Sequence, residues 1–116
     1  MFLIIGSNSF SGSQFIRFLL EKNHEVIGVS RSSEINSVYL PYKSSNKNNL
    51  FNFIQIDINY QLDELIEIVN KSKPEYIVNF AAQGMVAQSW GTPEDWYQTN
   101  VVSQVKLHDR LRKFPF

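Results

Sequence analysis

The sequence predicts an α/β fold in which one parallel sheet carries helices on both faces. Three observations point there. Short apolar runs rich in β-branched residues alternate four times with stretches whose apolar residues recur at helical spacing. Most of the links between them are short. The 116 residues suffice for one domain only, since a domain takes roughly 100–200. No internal repeat runs at a fixed period.

Phe2-Leu3-Ile4-Ile5 is a continuous apolar run that stops at Gly6, the pattern of a strand buried on both faces. From Ser13 to Lys22 the period changes: Phe15, Ile16, Leu19 and Leu20 share one face of a helix, and Asn23 suits its left-handed end. Val26-Ile27-Gly28-Val29 makes the second strand. Residues 32–49, rich in Ser and Asn, read as a long connection with a turn of helix around Ile35 to Leu40. Phe51, Phe53, Ile54 and Ile56 give a third strand, whose partial alternation suggests an edge position.

Leu62, Leu65, Ile66 and Val69 stand at i, i+3, i+4 and i+7, a helix with one buried face, and Pro74 lies outside its end. Tyr76 to Phe80 is the fourth strand. After a loop containing Gly84 and Gly91, a helix is expected from about Glu94 to Lys113 with Pro93 in its first turn. Right-handed crossovers then give strand order 3-2-1-4, half of a Rossmann-type sheet.

Composition removes several functions. Eleven basic residues balance eleven acidic ones, so there is no surplus cation with which a dedicated nucleic-acid binder would neutralise phosphates. Without cysteine there is no disulfide, thiolate nucleophile or Cys-ligated zinc, and two histidines, His24 and His108, give metal chemistry little to build on. The apolar run Met1–Ile5 is far short of the ~20 residues that span a bilayer, and no signal-peptide pattern precedes it. No membrane partner and a cytoplasmic location are expected.

The turn Gly6-Ser7-Asn8-Ser9-Phe10-Ser11-Gly12 lies between a buried strand and an amphipathic helix. A dinucleotide pyrophosphate needs such a turn, because backbone N–H groups at a helix N-terminus must approach its oxygens without Cβ atoms in the way. Two glycines in seven residues also arise by chance, and the strand–turn–helix context is what favours the functional reading. Arg31, between Ser30 and Ser32, stands where a dinucleotide's adenosine ribose lies. A guanidinium beside hydroxyls suits a 2′-phosphate better than a 2′,3′-diol, which favours NADP over NAD; a solvated loop arginine is the alternative. Asp57-Ile58 follows the third strand, where the carboxylate either meets an adenine amino group or starts a turn.

Taken together, these residues resemble the nucleotide-binding start of the extended short-chain dehydrogenase/reductase family, the NAD-dependent epimerases and dehydratases. The pattern is most similar to the GDP-mannose 4,6-dehydratase-like nucleotide-sugar dehydratases. Gly6, Phe10, Gly12 and Ser13 match the family's Gly-x-x-Gly-Phe-x-Gly-Ser turn, with Ser9 in place of the middle glycine. Arg31-Ser32-Ser33 resembles the arginine-serine stretch of the NADP-dependent members, and Asp57-Ile58 the pair flanking adenine. Asn79-Phe80-Ala81-Ala82-Gln83 resembles the segment lining the cofactor after the fourth strand, and Val86, Ser89, Pro93 and Thr99-Asn100-Val101 follow the same spacing.

The resemblance implies a cofactor site formed by Gly6, Ser9, Phe10, Ser11, Gly12, Arg31, Ser32, Asp57, Ile58, Ala81, Ala82 and Gln83, with Ser89 on the substrate side. It also implies a nucleotide-sugar substrate for the full-length enzyme, with residues 1–116 forming the N-terminal portion of its NAD(P)-binding domain. The family's catalytic Tyr-x-x-x-Lys pair has one match in spacing, Tyr39 and Lys43, which lies before the third strand and so too early in the chain. No catalytic residue is therefore assigned, and the chain alone is expected to bind cofactor without turnover.

On a wheel of 3.6 residues per turn, the apolar residues of the last helix, from Trp96 to Phe114, spread over roughly two-thirds of the circumference. A second contact is implied, either a homodimer through residues 94–114, as in the resembling enzymes, or cover by further chain. A non-catalytic NADP(H)-sensing or interaction module of the same fold is the competing function. A phosphate-accepting receiver domain needs an acidic cluster after the first strand, where this chain has Ser7, Asn8 and Ser9.

Overall fold

A computed structural model describes residues 1–115 of the chain. Four parallel strands, β1 (Phe2–Ile5), β2 (Val26–Ser30), β3 (Phe51–Gln55) and β4 (Tyr76–Asn79), form one sheet in the order β3-β2-β1-β4. Ile5 is in register with Val29 on one side and with Asn79 on the other, and Ser30 with Gln55. All four strands therefore end along one rim. As the partial alternation of its sequence suggests, β3 is an edge. Among the described residues β4 also pairs on one side only.

Because successive strand residues point to opposite faces, β1 sends Ile4 one way and Leu3 and Ile5 the other. Ile4 packs with Ile16, Leu19 and Leu20 of α1 (Phe10–Glu21). Leu3 and Ile5 pack with Leu65 and Val69 of α2 (Leu62–Ser72) and with Leu107 of α5 (Ser103–Leu111). Each fully buried aliphatic side chain contributes about 1.5–3 kcal/mol, so the sheet is held from both sides by comparable cores.

Helix α1 starts three residues earlier than the apolar period indicates. Ser9, in an extended conformation, accepts a hydrogen bond from Gly12 N–H at 3.0 Å through its Oγ and so caps the first turn. The helix ends on Asn23, which is left-handed at φ 63°, with the amides of Asn23 and His24 returning to the carbonyls of Leu20 and Leu19.

The connection after β2 is not a bare loop. Three short 3-10 turns, Ser37–Tyr39, Pro41–Ser44 and Asn48–Leu50, fold it back over α1, and Leu40 and Tyr42 are completely buried in that core. Tyr42 donates to Glu34 Oε2 at 2.7 Å, and Lys43 Nζ donates to Glu34 Oε1 at 2.8 Å, which pins the connection to itself. The packing of Leu40 and Tyr42 with α1 is non-local, so no periodicity announces it.

The stretch expected as one helix from about 94 to 113 is a helical run of three parts. These are α4 (Pro93–Tyr97), a wider π-helical turn at Gln98–Val102, and α5; a short α3 (Val86–Ser89) precedes them. Its buried side consists of Thr99, Ser103 and Leu107. Tyr97, Val101 and Val105 face outward at 69%, 50% and 65% exposure. The apolar excess read from the sequence is thus a stripe left uncovered, not a second core. No helix among the described residues is long and apolar enough to cross a membrane.

Candidate functional site

In an open parallel sheet, ligands bind outside the carboxyl ends of the strands, where the strand order reverses. Here that point lies between β1 and β4. Backbone bonds carry the sheet one residue past β1, β4 and β3: Gly6 N–H donates to Val29 O at 2.8 Å, Phe80 N–H to Ile5 O at 2.7 Å and Ile56 N–H to Ser30 O at 2.9 Å. The four segments that follow the strand ends therefore converge. They enclose a cleft of about 240 Å³ lined by Gly6, Asn8 and Ser9, by Ser30, Arg31 and Ser32, by Ile56 to Asn59, and by Phe80 to Gln83, with Thr99 behind.

Gly6 is left-handed at φ +84°, and a Cβ there would stand 2.8 Å from the backbone of Phe80 and Ala81. A Cβ on Gly12 would stand 2.3 Å from Gly6 O. Both glycines thus allow the first turn, the helix and the segment after β4 to approach one another closely. Among the described residues, the Phe10 and Ser11 amides at the start of α1 take no hydrogen-bond partner, whereas Gly12 N–H is bound by Ser9 Oγ. A turn with open amides at a helix N-terminus, where Cβ atoms would block the backbone, fits a pyrophosphate.

The residues singled out from the sequence divide into two groups. Gly6, Ser9, Arg31, Ser32, Asp57, Ile58, Ala81, Ala82 and Gln83 line the cleft. Phe10, Ser11 and Gly12 do not, and Phe10 is 82% exposed. Ser89 is also outside the cleft, where its Oγ donates to Val86 O within α3. Tyr39 and Lys43 lie in the connection over α1 and away from the cleft, with Lys43 held by Glu34.

Arg31 takes part in no ion pair among the described residues, and Glu34, the acid nearest in sequence, is occupied by Tyr42 and Lys43. Among the described residues, Asp57 is the only carboxylate in the cleft wall. Its Oδ1 accepts from Asn59 N–H at 2.9 Å, an Asx turn, so the turn-starting role is realised by one oxygen.

Three further polar residues brace the site; the sequence resemblance marked Asn100 among them, and Asn59 and Gln104 carry no signal that singled them out. Asn59 donates through Nδ2 to Thr99 Oγ1 at 3.1 Å and accepts from Ser103 Oγ at 2.6 Å, tying the loop after β3 to the π-helical turn. Asn100 grips Gln83 with two bonds, accepting from its N–H at 2.8 Å and donating to its carbonyl at 2.9 Å. Gln104 donates to both Ala81 O and Thr99 O, the latter a carbonyl of the widened turn. Widened turns of this kind recur at functional sites because they re-aim side chains and free carbonyls. Only an aligned family or the fold itself would distinguish these polar residues from any others on a helix surface.

Comparison with known proteins follows this geometry. The family model for GDP-mannose 4,6 dehydratase matches residues 3–115. The chain belongs to that family. Protein CapI of Staphylococcus aureus is 34% identical, over 97% of this chain and 34% of the relative. A GDP-mannose 4,6-dehydratase of Yersinia enterocolitica is 30% identical, over 95% of this chain and 30% of the relative.

Among solved structures, a UDP-glucose 4-epimerase of Thermotoga maritima with UDP-glucose superposes with a TM-score of 0.78 at 27% identity, covering 97% of this chain and 34% of that one. An epimerase of Stenotrophomonas maltophila with bound NAD has a TM-score of 0.77 at 17% identity, covering 96% and 33%, and supports the shared fold. The chain spans about a third of the length of these relatives.

Proposed function

We propose that these 116 residues are the cofactor-binding portion of a cytoplasmic nucleotide-sugar 4,6-dehydratase or epimerase, and that NADP is the favoured cofactor. The observation that carries this reading is the meeting of four strand ends on a cleft whose first wall is the glycine turn, with the open amides of Phe10 and Ser11 following Ser9 of that wall. When bound, the nicotinamide supplies the hydride acceptor and donor. The chain's own residues bind and orient it: the Phe10 and Ser11 amides take the pyrophosphate, Asp57 and Ile58 flank adenine, and Ala81 to Gln83 line the path toward the nicotinamide. Ser89, outward of the cleft, is assigned to the sugar side.

Arg31 supports the NADP preference, as an unpaired guanidinium between two serines in the cleft wall. The solved neighbours described with NAD set the alternative to be excluded. The cleft, at about 240 Å³, is smaller than the ~300–1,000 Å³ usual for ligand sites, so a dinucleotide would lie partly outside it. Turnover needs an acid/base pair that Tyr39 and Lys43 do not bring to the cleft. The exposed stripe Tyr97, Val101 and Val105 fits a homodimer contact.

Calorimetric titration of the chain with NADPH and NADH tests the reading. Tighter NADPH binding, weakened by salt more than NADH binding, is expected. No binding of either cofactor would end the proposal, and tighter NADH binding would end its NADP part.

A further inference from the structure

We propose that Asn8 is a positioning residue for cofactor choice, fastening the loop that carries Arg31 to the glycine turn. The inference rests on the NADP reading above and concerns a residue that touches neither the 2′-phosphate nor the nicotinamide in that reading.

The geometry is specific. Asn8 N–H donates to Ser30 Oγ at 3.0 Å, on one side of Arg31. Its side-chain Nδ2 donates to Ser32 O at 3.1 Å and Ser33 O at 2.9 Å, on the other side. One residue of the first turn thus straddles Arg31 from 22 to 25 positions away. From the end of β3, Gln55 Nε2 donates to Arg31 O itself at 3.0 Å.

The direction of the Asn8 amide follows from its partners. Two carbonyls must face the NH₂ group, since the opposite orientation would set oxygen against oxygen. Its Oδ1 is buried with no donor among the described residues, so the two Nδ2 bonds are what hold the side chain.

The physical consequence concerns the entropy of binding. The Arg31–Ser33 segment lies past the end of the β2 strand, and past the carbonyl of Ser30 no ladder bond holds it. Without the clasp, Ser32 and Ser33 carbonyls turn to water and the backbone beneath Arg31 samples many positions. A guanidinium on a fixed backbone loses less freedom when it grips a phosphate. NADH has no 2′-phosphate and draws little from that grip, so the clasp acts on the ratio of the two affinities.

The test measures dissociation constants for NADPH and NADH in the wild type, Asn8→Ala, Gln55→Met, Arg31→Ala and the double variant Asn8→Ala/Arg31→Ala, with urea midpoints to follow folding. Asn8→Ala is expected to lower the NADPH-over-NADH preference roughly tenfold, the weight of one or two hydrogen bonds. Gln55→Met, on the exposed face of an edge strand, is expected to lower it by roughly threefold without affecting folding. In the Arg31→Ala background, Asn8→Ala should leave the ratio unchanged.

Equal weakening of both cofactors, or an unchanged ratio, would overturn the role of Asn8 while the NADP reading stood. Should Asn8→Ala fail to fold, Asn8→Ser, which keeps the backbone bond to Ser30 and loses the Nδ2 bonds, gives the readout: an unchanged ratio overturns the role and a lowered ratio supports it. A wild type with no preference for NADPH defeats the NADP reading, and this inference with it.

Discussion

Gly12→Ala sets two effects of opposite sign against each other. Replacing a helical glycine by alanine gains about 1 kcal/mol of helix propensity. Against this, the new Cβ would stand 2.3 Å from Gly6 O and 2.8 Å from Ser9 Oγ. Ordinary carbon–oxygen contacts begin at about 3.3 Å, so roughly 1 Å must be found.

Gly6 cannot yield it. Its carbonyl accepts Ser9 N–H at 3.0 Å and its amide holds Val29 O at 2.8 Å, across the central pair of strands. The helix must retreat instead, and Ile16 and Leu20, both completely buried, lose contact with Ile4. Overpacking costs about 1–3 kcal/mol and sometimes more; with a backbone atom in the way the upper end applies, leaving a net loss of about 2 kcal/mol.

With a urea slope of about 1–3 kcal/mol per molar, the midpoint of denaturation should fall by about 1 M. Gly84→Ala is the control: nothing lies within 4 Å of its added methyl and its φ is not positive, so it should be neutral or gain about 0.4–1 kcal/mol. A Gly12→Ala midpoint equal to or above the wild type would refute the close approach of α1 to the first turn.

Three further outcomes are expected. Leu40→Ala, in the connection after β2, should cost about 2–5 kcal/mol in urea denaturation, while Val38→Ala, exposed two residues earlier, should stay within about 0.5 kcal/mol of wild type. Burial, and then the hydrogen bond to Glu34, pushes the Tyr42 phenol well above its ordinary 10.0. The folded state thus holds that proton longer, and the stabilisation is complete below pH 10.0 and lost as pH rises beyond it. Tyr42→Phe should cost about 1–3 kcal/mol at neutral pH and flatten the decline in midpoint above about pH 10, which an unaltered alkaline slope would contradict. Finally, Val101→Glu with Val105→Glu should convert a dimer to a monomer in sedimentation equilibrium; a wild type that is monomeric throughout would remove the proposed contact.

The sequence by itself determined the fold class, the four strands and their order. A strand buried on both faces writes its burial into a continuous apolar run and a helix with one apolar stripe into a period of 3.6, and Phe2–Ile5 and Leu62–Val69 show the two patterns in turn. The glycine turn was equally legible, because a positive φ and a backbone contact at 2.8 Å leave glycine little competition at position 6. Tertiary structure alone decided which contacts are made between distant segments. Leu40 and Tyr42 entering the core, the clasp of Asn8 on Ser32 and Ser33, and the braces from Asn59, Asn100 and Gln104 join residues from 17 to 44 positions apart or close over a helix from another layer. The reason is that a hydrogen bond between distant segments depends on where the sheet places their ends, and a single asparagine looks the same in the sequence whether it faces water or fastens a loop.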